Sequence, residues 1–153
     1  MKVKSIMSRE VAVCRPDENI HDAARVMWDH DCGVVPVVDA ETGRLEGVCT
    51  DRDLCMAALL SNRPAASLPL ADVMATEVRT CSPDDDLREV HAEMREFQIR
   101  RLPVVDEGRR LIGLVSLNDL ANEAFASRTK TAAKRQRDVA KTLAEVSRHY
   151  EDE

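Results

Sequence analysis

Two short stretches of this 153-residue chain pair a hydroxyl with a carboxylate three positions on. Thr50 precedes Asp53 in Gly47-Val48-Cys49-Thr50-Asp51-Arg52-Asp53, and Ser116 precedes Asp119 in Gly113-Leu114-Val115-Ser116-Leu117-Asn118-Asp119. That spacing is first of all a capping box, in which the two side chains satisfy orphan amides in a helix's first turn. Ser82 and Asp85 share the spacing without the Gly-apolar prelude and are expected to open the helix after Pro83, so spacing alone implies no ligand. Three features suit the first two pairs to a nucleoside phosphate. A hydroxyl and backbone amides at a helix N-terminus form an anion site. A carboxylate one turn further in accepts hydrogen bonds from a vicinal diol, as acids do toward ribose in dinucleotide sites. A glycine ahead of the apolar run, lacking Cβ, would let a flat ring approach the backbone.

The elements that must hold these groups repeat along the chain. Met7 falls on Met74, Glu10-Val11 on Glu77-Val78, Cys14 on Cys81, Pro16-Asp17 on Pro83-Asp84 and Met27 on Met94. Further on, Pro36-Val37-Val38-Asp39 meets Pro103-Val104-Val105-Asp106, Arg44-Leu45 meets Arg110-Leu111, Gly47 meets Gly113 and Asp53-Leu54 meets Asp119-Leu120. This is a tandem duplication. Each copy starts with a short extended segment (Val11–Cys14; Val78–Cys81) and then a helix with an apolar stripe, Ile20, Ala23, Ala24 and Met27 in copy one, Leu87, Val90 and Met94 in copy two. Two apolar runs around a Gly-containing turn predict a hairpin, Val34–Val38 with Leu45–Cys49 and Leu102–Val105 with Leu111–Val115. A second helix starts at Thr50 or Ser116. Each β-α-β-β-α copy is too small to bury both sheet faces, so the two are expected to pack about a pseudo-twofold axis. Residues 61–69 read as linker, and 125–153 as a polar helical tail with a narrow stripe at Val139, Leu143, Val146 and Tyr150.

Composition narrows the possibilities. A net charge of −6 and few aromatics argue against nucleic acid and anionic membrane as partners. The cluster Lys130, Lys134, Arg135 and Arg137 fits a solvated helix face. No apolar run is long enough to span a bilayer and the N-terminus lacks a signal-peptide core, so a cytoplasmic location is expected. Five cysteines without a CxxC read as reduced and structural. Of the four histidines, His21, His30, His91 and His149, only His30 with Cys32 approaches a ligand pair, and zinc needs three or four ligands. Without a nucleophile beside a base, a phosphate-cradling glycine loop or a metal cluster, the chain reads as noncatalytic.

Over residues 3–124 both copies resemble CBS domains, through IMSREVAVCRPDENIHDAARVM, VVPVVD and GRLEGVCTDRDL, then VMATEVRTCSPDDDLREVHAEM, RLPVVD and RRLIGLVSLNDL. The resemblance is to a standalone CBS-domain pair, or Bateman module, with repeat one at 1–60 and repeat two at 70–124. It implies an α/β (α+β) fold of two packed repeats plus a C-terminal helix. It also implies a noncatalytic regulatory module that takes AMP, ADP, ATP or S-adenosylmethionine as a regulatory ligand in clefts between the repeats, requires no cofactor, pairs into disc-like homodimers, and is read by an unidentified regulated protein. Carried over by position, Asp53 and Asp119 match the ribose-binding acids, and Thr50 and Ser116 the phosphate-facing hydroxyls. Val11-Ala12-Val13 and Val78-Arg79-Thr80 match the strand edge that reads adenine. Val34, Val35 and Pro36, with Arg101, Leu102 and Pro103, match the apolar wall and, where basic, the phosphate clamp.

The copies differ where Arg100-Arg101 stands in place of Gly33-Val34. One or both guanidinium groups are expected to reach across the cleft toward phosphate at Thr50 and Asp53; the competing expectation is a pair of surface arginines making weak ion pairs. Glu46 stands where copy two has Ile112 and is expected at a sheet edge. Leu117 is expected to face a partner, His91 to be a packed, hydrogen-bonded histidine on the buried stripe, and Trp28 to lie in a dimer contact or be partly buried. A scaffold with vestigial pockets, in which Asp53 and Asp119 act only as caps, is the alternative function.

Overall fold

The computed structural model describes residues 1–126 and 131–148; Lys130, His149 and Tyr150 lie outside the described residues. The chain divides into two compact units. The first comprises Glu10–Val78 with Glu107–Leu111, and the second Met1–Arg9, Arg79–Asp106 and the described residues from Ile112 on. No helix among the described residues is long and apolar enough to cross a membrane.

In the first unit, α1 (Ile20–Asp29) starts where the Asn19 side chain accepts from the Asp22 amide at 3.0 Å and Asp22 returns the bond to the Asn19 amide at 3.2 Å. Ile20, Ala23 and Met27 are buried, but Ala24, expected on the same stripe, is exposed. β1 (Val34–Val38) pairs antiparallel with β2 (Leu45–Thr50), and α2 (Asp51–Leu60) follows directly. Val37 faces Gly47 and Val38 faces Leu45, so Glu46 is the extra residue of a β-bulge and turns to solvent. That accounts for an acid in an otherwise apolar run. The hairpin turn is tied by Asp39 Oδ1, which accepts from the Thr42 amide and hydroxyl, each at 2.7 Å.

The second unit repeats this order with α3 (Leu87–Glu96), β3 (Arg101–Val105), β4 (Leu111–Ser116), whose first residue groups with the first unit, and α4 (Leu117–Ala126). β3 neighbours β4 in a second two-stranded sheet. α3 opens at Asp86, capped reciprocally with Glu89, and not at the Ser82/Asp85 pair. Those two residues instead close a tight turn one residue earlier, where Asp85 Oδ2 accepts from the Ser82 amide at 2.7 Å.

The expected first strand of each copy contracts to one residue. Cys14 bridges Val37, with the Cys14 amide donating to Pro36 O at 3.0 Å and the Val38 amide to Cys14 O at 2.9 Å; Cys81 bridges Val104 likewise. The remaining sheet pairing comes from the segment that opens the other repeat. Ser8 and Leu114 exchange amide bonds at 2.9 Å within the second unit, and Val48 and Ala75 exchange bonds at 3.0 and 2.9 Å within the first. Val3 and Met7 accordingly sit in the second core, and Leu70 and Met74 in or against the first. The stretch 61–69 is packed as well: Leu68 is buried, and its carbonyl accepts from the Ile20 amide at 3.0 Å.

Gly47 and Gly113 make these exchanges possible. A Cβ at Gly47 would lie 2.6 Å from Met74 Sδ and 2.8 Å from Ala75 O; at Gly113 it would lie 2.9 Å from both Met7 Sδ and Ser8 O. The space each glycine leaves is taken by a methionine and a strand backbone, not held open for a flat ring.

α5 (Ala132–Val146) packs on α3 and α4 in the second unit. Its buried stripe is Val139, Thr142 and Val146, with Leu143 half exposed, so a hydroxyl occupies the position expected for leucine. The reason is polar. Thr142 donates its hydroxyl to Asp138 O at 2.9 Å and accepts from Arg95 at 3.1 Å and from His91 Nδ1 at 2.8 Å. Because the hydroxyl proton is spent on Asp138, His91 must carry its proton on Nδ1. Leu117 and Ala121 of α4 lie against the same core, so Leu117 faces the interior rather than a partner.

Two outcomes follow from this packing. Burial holds the His91 pKa below its usual value of 6.5, opposed by the Asp138 carboxylate and aided by the smaller effect of the nearby Arg95 charge. The folded chain then binds its proton less readily than the unfolded chain, so the stability His91 contributes is complete above about pH 6.5 and is lost as pH falls through its folded pKa. Thermal unfolding should show a steeper loss of Tm from about pH 7 to 5 in the wild type than in His91→Asn, and equal slopes would remove His91 as the cause. Gly47→Ala or Gly113→Ala should cost about 1–3 kcal/mol in urea unfolding, because the opposing carbonyl cannot yield as a side chain can. Gly33→Ala, whose added Cβ would meet only the Asp51 carboxylate at 3.0 Å, should cost less.

Candidate functional site

Both Thr/Ser-x-x-Asp motifs lie at the junction of a strand and a helix. Thr50 is the last residue of β2 and, with φ −105° and ψ 162°, the N-cap of α2. Its hydroxyl accepts from the Asp53 amide at 3.2 Å, while Asp53 Oδ2 accepts from the Thr50 amide at 2.8 Å. Ser116 ends β4 in the same way. Its hydroxyl accepts from the Asp119 amide at 3.2 Å, and Asp119 Oδ2 accepts from the Ser116 amide and hydroxyl, each at 2.7 Å. All four side chains are half-buried. Each acid uses Oδ2 for the cap, and Oδ1 takes no hydrogen bond from the described residues. A ligand hydroxyl could therefore add to either carboxylate without opening its helix.

Neighbouring backbone supplies further polar groups. The amides and carbonyls of Val11, Ala12 and Val13, and of Arg79 and Thr80, make no hydrogen bond to the described residues. The Val78 amide donates to Thr76 O at 3.1 Å. These are short extended edges leading into the Cys14 and Cys81 bridges, with Val11, Val78 and Thr80 half-buried and Val13 exposed. An edge of unpaired amides and carbonyls can pair with the heteroatoms of a base.

The proposed wall is placed differently. Val35 and Leu102 are fully buried within the two cores, and Pro36 and Pro103 are buried too, their carbonyls accepting from Cys14 and Cys81. These four hold the hairpins together and present no side chain to a ligand. Both faces of the strand are covered here: Val35 and Val37 point into the core, and Pro36 between them is buried as well. Val34 is half-buried and Arg101 exposed. Arg100 O accepts from the Leu117 amide at 2.9 Å at the start of α4, and its guanidinium lies 3.4 Å from Ser147 Oγ.

Charge at the two helix starts is unequal. Asp51 adds a second acid to the first turn of α2, its Oδ1 accepting from the Arg52 amide at 2.8 Å and its amide donating to Gly33 O at 3.1 Å. α4 has Leu117 at that position, joined through its amide to Arg100. No group of three or more His, Cys, Asp or Glu arranged to hold a metal occurs among the described residues. Cys49, one residue before Thr50, has its pKa pushed up to about 12, chiefly by burial and then by the Asp53 carboxylate. Burial does the same to Cys14, to about 11, and to Cys81, to about 12. These thiols stay protonated and provide no nucleophile near the sites.

What escaped sequence reasoning was the job of Met7 and Met74. Both were visible as a repeated pair, as were Gly47 and Gly113, and a glycine and a methionine duplicated together are a signal of mutual packing.

Comparison with known proteins agrees with this architecture. The CBS domain family matches residues 3–60 and again 70–125. The CBS domain-containing protein YhcV of Bacillus subtilis is 37% identical over 131 residues, covering 86% of this chain and 91% of that protein. Among solved structures, a putative acetoin utilization protein (AcuB) from Vibrio cholerae has a TM-score of 0.74 at 32% identity, covering 82% of this chain and 91% of the other. The CBS domain pair of protein MJ0100, solved in complex with 5′-methylthioadenosine and S-adenosyl-L-methionine, has a TM-score of 0.74 at 27% identity, covering 82% and 97%. With two family matches in tandem, each spanning the helices and the hairpin of one repeat, the chain belongs to the CBS-domain family as a CBS-domain pair.

Proposed function

We propose that this chain is a noncatalytic regulatory module that binds adenosyl ligands, with Asp53 and Asp119 holding the ribose diol and the helix starts at Thr50 and Ser116 facing the phosphate. The observation that carries this reading is the duplicated cap in which each acid keeps one carboxylate oxygen available. The unpaired backbone of Val11–Val13 and of Arg79-Thr80 supports it as the edge for adenine. The MJ0100 pair, similar along most of its length and solved with two adenosyl ligands, supports the ligand class. Arg100 and Arg101 are proposed as phosphate ligands, since two guanidinium forks suit a polyphosphate. Binding acts by favouring one of two conformations, for which it needs different affinity for each. The chain is further proposed to work as a homodimer read by a separate regulated protein, and to catalyse no reaction itself.

Calorimetry with AMP, ADP, ATP and S-adenosylmethionine tests this. Asp53→Asn and Asp119→Asn keep an acceptor for the helix cap while removing the charge that binds the diol, so each should weaken one site about tenfold or more with little change in Tm. Arg100→Ala with Arg101→Ala should weaken ADP and ATP more than AMP. If the wild type bound none of the four at millimolar concentration, the caps would be only caps and the scaffold function would stand instead.

A further inference from the structure

The polar contacts between α3 and α5 continue past the end of α3 and weaken as they go. His91 Nδ1 and Arg95 donate to the Thr142 hydroxyl at 2.8 and 3.1 Å, and Arg95 Nε lies 3.7 Å from Glu145 Oε2. Beyond α3, Gln98 Nε2 lies 3.5 Å from Arg148 O and the Arg100 guanidinium 3.4 Å from Ser147 Oγ. His91 and Thr142 are buried, whereas Gln98, Arg100, Ser147 and Arg148 are all exposed. Contacts of that length stand near the limit of a hydrogen bond, and water competes for every one of their partners. The end of α5 is thus held by groups that can let go without opening the core.

Arg100 has a second role to play. Its carbonyl accepts from the Leu117 amide at 2.9 Å, which fixes its backbone at the start of α4, next to the Ser116 and Asp119 cap. The first repeat keeps the same backbone bond, from the Asp51 amide to Gly33 O at 3.1 Å, but a glycine there has no side chain to offer. In the second repeat the backbone is pinned while the long side chain is free to swing. A serine hydroxyl gives the guanidinium one neutral acceptor. A phosphate gives it charged acceptors in the spacing of its fork, and so wins the exchange.

We infer that the terminal phosphate of a bound nucleotide and Ser147 compete for the Arg100 guanidinium. Binding of a polyphosphate withdraws Arg100 from α5 and loosens its last turn, and the docked end of α5 in turn lowers affinity for polyphosphate, because such coupling is reciprocal. An adenosyl ligand without phosphate leaves Arg100 on Ser147, so α5 distinguishes ATP and ADP from S-adenosylmethionine. This rests on the reading of Arg100 as a phosphate ligand and names the element that reports on that site.

Calorimetry and amide exchange on the full chain test it. Ser147→Glu sets a carboxylate against Arg100 and should weaken ATP and ADP about three- to fivefold, while Ser147→Ala should tighten them about twofold. S-adenosylmethionine should bind both variants as it binds the wild type. Ala140→Glu, which adds the same charge at an exposed position two turns earlier on α5, should leave ATP affinity unchanged. In the wild type, saturating ATP should speed exchange of the Ser147 and Arg148 amides, which donate to Leu143 O and Glu145 O, about twofold, and S-adenosylmethionine should not. If Arg100→Ala weakens ATP but Ser147→Glu does so no more than Ala140→Glu, or if ATP leaves the two amides unchanged, Arg100 stands as a phosphate ligand and its coupling to α5 is overturned. If Arg100→Ala leaves ATP affinity unchanged, or the wild type binds no ATP, the phosphate role and the coupling fall together.

Discussion

The constraint on which the rest depends is the close approach of a backbone to a glycine in each hairpin. Every repeat has only two true strands and a one-residue bridge, too little to keep a core dry. The segment opening the other repeat completes it, laying a strand edge and a methionine onto Gly47 or Gly113 at distances no Cβ would allow. Neither core is therefore made from one repeat's sequence: Met7 belongs to the second core, and Met74 packs against the first. The duplication survives as an interlocked pair because each copy lacks the element the other supplies.

That interlock sets the stage for the candidate sites. Each hairpin ends at a residue that is both the last of a strand and the cap of a helix, so the hydroxyl and the acid are fixed by two elements at once. A capping box is usually the end of the argument, since it explains both residues fully. Here the carboxylates use one oxygen each, and the nearby extended edges carry unpaired amides and carbonyls. The buried wall residues Val35, Pro36, Leu102 and Pro103 serve the same arrangement from behind, by holding the hairpins rigid.

The two repeats then diverge on their outer faces. In the second, His91 and Arg95 stand where the first has Ala24 and Trp28, and they meet a helix whose threonine pairs with them. In the first, Ala24 and Trp28 are exposed. A buried polar network of this kind specifies its partner more than it stabilises the contact, because an unpaired member costs more than a paired one gains.

The sequence by itself determined the duplication, the hairpins, the starts of α2 and α4 and the two hydroxyl-acid pairs, because each depends on residues close in the chain: the β-branched run of β1, reciprocal caps at Thr50 and Ser116, and a 3.6-residue stripe in α1. Glu46 was legible as an anomaly, and its meaning, a bulge, came only from the register with Val37 and Val38. Tertiary structure decided what each position faces. Ala24 and His91 are the same position in two copies of one helix, and only the presence of α5 makes one exposed and the other buried. The same holds for Thr142 in place of Leu143 on the tail stripe, and for the glycines, whose neighbours lie on a segment distant in sequence. Local patterns record which faces are apolar and where elements begin; which distant segment arrives to cover a face is a property of packing, and no local period encodes it.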